Sequence, residues 1–75
     1  MLDSNKIKTR ISQILGVPTE KVTDNAVLQE LVIDSFILID MVIDLQNTFN
    51  IRLNQEDLVP VKTVGDLISV MNSKV

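Results

Sequence analysis

The sequence predicts an all-α fold. Three segments place Ile, Leu, Val and Met at helical spacing. Each is bounded by residues that start or stop helices, and the one alternating stretch, Ile51 and Leu53, is too short to read as a strand. At 75 residues one domain covering 1–75 is expected, with a modest core. Aromatic residues make up only 3% of the chain, so that core must be aliphatic.

The first helix is expected over residues 4–15, with Ser4 as its N-cap. Ile7, Ile11, Ile14 and Leu15 form one stripe, with Lys6, Lys8, Arg10 and Gln13 on the other faces. Gly16 suits the C-cap and Pro18 blocks continuation. Residues 16–34 read as a long connection, turn-like at Thr23-Asp24-Asn25. A loop of this length in a small domain must be packed or functional. Val17, Val22, Val27, Leu28 and Leu31 are expected to pin it over the helices, with a helical turn near Val27 to Leu31.

The second helix is expected over residues 35–49. Leu38, Val42, Leu45 and Phe49 form its core stripe. The opposite face holds Phe36, Asp40, Ile43 and Asn47, with Ile37 and Asp44 at its flank. This mixture of large apolar and acidic residues fits a docking surface, unless the preceding loop covers Phe36 or Ile37. A further helical turn is expected over Gln55 to Val59, capped by Asn54 and stopped by Pro60. Thr63 caps a last helix, with Asp66 three residues on in a capping-box arrangement and Val64, Leu67, Ile68 and Met71 as its stripe. Residues 72–75 are expected to fray.

Composition removes whole classes of chemistry. The chain has no cysteine, histidine, tryptophan or tyrosine, so disulfides, thiol catalysis, imidazole acid–base work and Cys/His metal sites are absent. The N-terminal residues lack the apolar core of a signal peptide, and no apolar run is long enough to span a bilayer. A soluble, cytoplasmic monomer is expected. The net charge of −3 is unevenly spread. Asp24, Glu30, Asp34, Asp40, Asp44, Glu56 and Asp57 face Arg52 alone between residues 24 and 57, while both flanking segments are net basic. Such a field attracts basic protein surfaces and disfavours nucleic acid.

Asp34 and Ser35 open the second helix, and both are good N-cap residues. A serine there presents its hydroxyl at the positive end of the helix dipole, a favourable place for a phosphate-linked group. Taken alone the dipeptide is no more than a helix start. Ser12 and Ser69 fall inside helices, and Ser4 and Ser73 near the termini. Ser35 alone combines a helix start with an acidic, partly apolar helix behind it. No catalytic set can be assembled, because Ser35 has no histidine base and Gly16 and Gly65 are the only glycines. Asp40 and Asp44, one turn apart, are ordinarily a solvated face rather than a metal site.

Together these segments resemble the acyl carrier protein family over almost the whole chain. The resemblance rests on Leu15-Gly16-Val17, Val22-Thr23-Asp24-Asn25-Ala26, Asp34-Ser35, Leu45 through Phe49-Asn50-Ile51, and Lys62-Thr63-Val64-Gly65-Asp66-Leu67. It implies a bundle of three main helices and one short one. It implies that Ser35 receives 4′-phosphopantetheine from coenzyme A through a phosphopantetheinyl transferase, and that acyl groups ride as thioesters on the arm. Asp34 matches the acid that helps coordinate the transferase's magnesium; the chain holds no metal of its own. The second helix matches the surface read by basic patches on acyl-loading and acyl-transferring enzymes, with Asp40 where the family often has a recognition acid.

The chain departs from the family in having Val32-Ile33 before Asp34, Phe36 where leucine usually follows the serine, and Ile37 where an acid or small polar residue is common. The expected function is a non-enzymatic acyl carrier in fatty acid, polyketide or specialised lipid biosynthesis. Two alternatives stand beside it: an aminoacyl or peptidyl carrier, and an unmodified adaptor that binds proteins through the second helix.

Overall fold

A computed structural model describes residues 1–75, and it is helical throughout. The order is α1 (Ser4–Leu15), a 3-10 turn (Thr19–Lys21), α2 (Leu28–Leu31), α3 (Ser35–Phe49), α4 (Gln55–Leu58) and α5 (Val64–Asn72). Three helices are long, as expected. Two four-residue helices accompany them rather than one, since the turn near Leu28 closes into a helix of its own.

The cap of α1 is Asp3, not Ser4. Asp3 has extended backbone, and its Oδ1 accepts from the N–H groups of Asn5 (2.9 Å) and Lys6 (3.4 Å). Ser4 is the first helical residue. A carboxylate satisfies two first-turn donors and also faces the positive end of the dipole. Gly16 ends the helix at φ 68°, the left-handed conformation in which a side chain is strained. Asn50 ends α3 at φ 54° in the same way.

The core is aliphatic: Ile7 and Ile11 of α1, Met41 and Leu45 of α3, and Val64, Leu67, Ile68 and Met71 of α5, with Val22, Leu28 and Leu53 from the connections. No polar side chain is buried with them. The stripe of α3 differs from the expected one. Met41 and Leu45 are fully buried, while Leu38, Val42 and Phe49 are only half-buried. At about 100° per residue the buried face is turned by roughly 50° from the expected stripe. The reason lies in α3 itself, which carries large apolar residues on nearly every face, so periodicity alone does not fix its rotation.

The long connection is stitched down by main-chain bonds to the start of α5. Leu28 N–H donates to Lys62 O (3.0 Å), Val64 N–H to Ala26 O (2.9 Å) and Gly65 N–H to Asp24 O (2.9 Å). Val22 and Leu28 are buried beneath it, and Val17, Val27 and Leu31 are half-buried. The C-terminal residues do not hang free. Leu2 N–H donates to Asn72 Oδ1 at 2.8 Å, and Lys74 pairs with Asp57 at 3.0 Å.

Candidate functional site

Asp34 caps α3. Its backbone is extended, its Oδ1 accepts from Phe36 N–H at 2.9 Å, and its carbonyl accepts from Ile37 N–H at 3.1 Å. Ser35 is therefore the first helical residue, exposed, and its hydroxyl takes part in no hydrogen bond within the protein. By contrast, Ser12 Oγ donates to Val17 O and Ser73 Oγ to Val70 O. The Asp3-Ser4 pair repeats the Asp34-Ser35 arrangement: both aspartates cap with nearly the same backbone angles, φ −75° and ψ 113° against φ −78° and ψ 112°. The sequence reading misses this duplicate because it places the cap on Ser4.

What separates the two serines is their surroundings. Ser4 stands beside Asn5 and Lys6. Around Ser35 the chain exposes Ile33 (96%), Phe36 (77%) and, at the edge, Ile37 (37%). The preceding loop thus leaves Phe36 uncovered. Further along α3, Ile39 (54%) and Ile43 (51%) join the same face, with Asp40 and Asn47 exposed beside them. Ile39 and Ile33 were not expected in this face. For Ile39 the signal was present in the run Phe36-Ile37-Leu38-Ile39, in which four consecutive apolar residues cannot all point inward; Ile33 lies before the helix, where no periodicity applies.

Asp44 is held differently from Asp40. Arg10 Nε and Nη2 donate to its two oxygens, each at 2.7 Å, and Thr48 Oγ1 donates to Oδ1 at 3.0 Å. Asp44 is half-buried against α1. The hydrogen bond from Arg10 is the main cause of its lowered pKa, and the same contact raises that of Arg10. Asp40 has no such partner. The two carboxylates therefore do not act as a pair, and no cluster of metal-ligating residues forms anywhere in the structure.

Beside α3 lies a cleft of about 660 Å³, in which 11 of the 14 lining residues are hydrophobic. Its lining includes Val42 and Ile43 of α3, Leu28, Leu58, Val61 and Leu67, with Lys62 and Thr63 among the polar residues. It is large enough to receive an aliphatic chain.

The sequence profile of a family described as "Phosphopantetheine attachment site" matches residues 5–71. The acyl carrier protein of Thermotoga maritima is 37% identical over 71 residues, covering 93% of this chain and 88% of that protein. The chain belongs to the acyl carrier protein family. The acyl carrier protein of Buchnera aphidicola subsp. Schizaphis graminum is 34% identical over 70 residues, covering 92% of this chain and 89% of that one. An acyl carrier protein homolog of Mycoplasmopsis pulmonis is 33% identical over 64 residues, covering 85% and 88%. This acyl carrier protein is accordingly a carrier and not an enzyme, and its cofactor is 4′-phosphopantetheine. An exposed serine hydroxyl without an internal partner, at the positive end of a helix, fits the attachment of that phosphate-linked group. No helix is long and apolar enough to cross a membrane.

Proposed function

We propose that Ser35 carries the 4′-phosphopantetheine arm and that the chain presents acyl intermediates on it to partner enzymes of fatty acid, polyketide or specialised lipid biosynthesis. The observation that carries this reading is the free, exposed hydroxyl of Ser35 in the first turn of α3, within the region matched to the attachment-site family. Of the other serines in that region, Ser12 is bonded internally and Ser69 lies within α5. Ser4, which shares the capped geometry, lies outside it.

Loading joins the Ser35 oxygen to the phosphorus that bears the pantetheine, breaks the diphosphate linkage of coenzyme A and releases adenosine 3′,5′-bisphosphate. The serine proton goes to a base on the phosphopantetheinyl transferase, since the chain has no histidine and the adjacent Asp34 carboxylate is engaged by Phe36 N–H. Asp34 keeps the hydroxyl in the first turn and contributes a carboxylate toward the transferase's magnesium. The arm supplies the thiol that a chain without cysteine lacks, and acyl groups travel on it as thioesters. The apolar cleft favours an aliphatic acyl cargo over an aminoacyl one. Phe36, Ile37, Asp40, Ile43 and Asn47 form the face offered to partners, with Asp44 at its edge and committed to Arg10. The carrier works as a single domain over 1–75, as a monomer in the cytoplasm.

Incubation with coenzyme A and a broad-specificity transferase tests the reading. One arm mass should be added to wild type and to Ser4→Ala, and none to Ser35→Ala. Partner binding by a protein that is never modified, unaffected by Ser35→Ala, would instead favour the adaptor.

A further inference from the structure

We infer that Lys74 is a catch that holds one wall of the apolar cleft in place, so that its pair with Asp57 governs how readily an acyl chain leaves. The inference rests on the reading of the cleft as the seat of an aliphatic cargo. The walls of the cleft are not held alike. Met41 and Leu67 are fully buried, and Leu28 is both buried and bonded through its N–H to Lys62 O at 3.0 Å. The segment of residues 54–61, which contains α4, brings Leu58, Val59 and Val61 to the lining. None of its residues is buried: Leu58 and Val61 are half-buried and Val59 is exposed. Its ends are fixed. Before it, Leu53 is buried and its N–H donates to Gln46 Oε1 at 3.0 Å; after it come the bonded Lys62 carbonyl and buried Val64. A short segment with little buried apolar surface opens at lower cost than the core around it. This wall is therefore the one that yields when a chain enters or leaves.

Between those ends a single polar contact ties the segment to the rest of the protein. Its other bonds close within it: Asn54 N–H to Asp57 Oδ2 (2.8 Å), Asp57 N–H to Asn54 O (3.0 Å) and Val61 N–H to Leu58 O (3.1 Å). The outside contact is Lys74 Nζ to Asp57 Oδ2 at 3.0 Å. The ammonium is delivered from a fixed point, since Lys74 N–H donates to Met71 O at 3.1 Å and Met71 is fully buried. It lands on the same carboxylate oxygen that caps α4, so one contact braces the helix start and the wall together. The two side chains are 30% and 23% exposed, so salt screens the pair less than one in open water. The pair of Lys8 with Asp24, at 2.9 Å, is of similar length, and neither of its residues lines the cleft.

Two measurements on the full chain test this. The first is amide hydrogen exchange at Asp57 and Val61, whose bonds lie inside the segment, and it needs no arm. Lys74→Met keeps the stem and loses the charge; it should speed both amides by about three- to fivefold. Lys74→Arg should return them close to the wild-type rate, and Lys8→Met should leave them there. The second uses protein loaded from octanoyl-coenzyme A by a broad-specificity transferase, with the terminal methyl of the octanoyl chain isotope-labelled. NMR exchange of that methyl between a position against Leu67 and water should quicken about threefold in Lys74→Met and stay at the wild-type rate in Lys8→Met. Unchanged amide rates in Lys74→Met overturn the inference. So does an equal acceleration by Lys8→Met, which marks a general loss of stability rather than a catch. If wild type accepts no arm, the attachment reading falls and takes this inference with it. If the loaded wild-type chain never contacts Leu67, the reading of the cleft falls, and this inference with it. If the chain is seated but leaves Lys74→Met at the wild-type rate, only this inference falls.

Discussion

Asp34 does two things that substitution can separate. Its carboxylate accepts from Phe36 N–H and so fixes the first turn of α3, and its charge stands beside the Ser35 hydroxyl, the proposed attachment point. Asp34→Asn keeps an N-cap of similar strength and removes the charge. Thermal unfolding should therefore stay close to wild type while arm addition slows. Asp34→Ala should lose both, with about 1 kcal/mol of stability gone. A rate unchanged by Asp34→Asn would confine the residue to capping. At this scale the sequence was informative wherever the relevant partner lay within a few residues. The Thr63–Asp66 box forms as expected, with Asp66 Oδ2 accepting from Thr63 N–H and Thr63 Oγ1 accepting from Asp66 N–H, each at 3.1 Å. The choice between Asp3 and Ser4 was not legible, because adjacent residues of equal capping ability differ only in which one adopts extended backbone.

The elements are held together by contacts that sequence spacing does not reveal. Gly65, in the first turn of α5, approaches the loop so closely that an added Cβ would stand 3.0 Å from Asp24 O. That carbonyl is already fixed by the bond from Gly65 N–H. Gly65→Ala should thus lower stability by about 1–2 kcal/mol despite alanine's better helix propensity, read as a lower denaturation midpoint at unchanged m-value. The Arg10–Asp44 contact joins α1 to α3 across 34 residues of sequence. In a double-mutant cycle, Arg10→Ala and Asp44→Asn should each lower the melting temperature, and the double variant should fall short of the sum. Strict additivity would show the contact to be idle in solution. The existence of α1, α3 and α5 was readable from caps and stripes. The rotation of α3 was not, because Leu38, Ile39, Met41 and Val42 are all apolar and only the neighbouring helices decide which of them faces inward.

Across the whole molecule the fold redistributes charge that the sequence shows in blocks. Asp24, Asp44 and Asp57 of the acidic segment are paired with Lys8, Arg10 and Lys74 from outside it. Asp34 and Asp40 stay free of cations around the candidate site, so the surface there is less acidic and more apolar than the sequence alone implies. Three carboxylates, held by an ion pair or by main-chain N–H groups, set the pH response. Asp44 is held below the ordinary aspartate value of 3.8 mainly by Arg10, Asp57 mainly by the N–H of Asn54, and Asp66 mainly by the N–H groups of Lys62 and Thr63. A depressed folded pKa contributes stability that is complete above the unfolded value and lost as pH falls through the folded one. With no histidine in the chain, the melting temperature should be nearly flat from about pH 5 to pH 8 and fall below about pH 4. A decline between pH 7 and pH 5 would contradict this. Attachment of the arm at Ser35 can be read by mass spectrometry of the protein isolated from its native host, with the modified peptide fragmented to locate the added mass. One phosphopantetheine is expected on Ser35, with or without an acyl group on its sulfur. A protein wholly without the arm, or an arm on another residue such as Ser4, would contradict it.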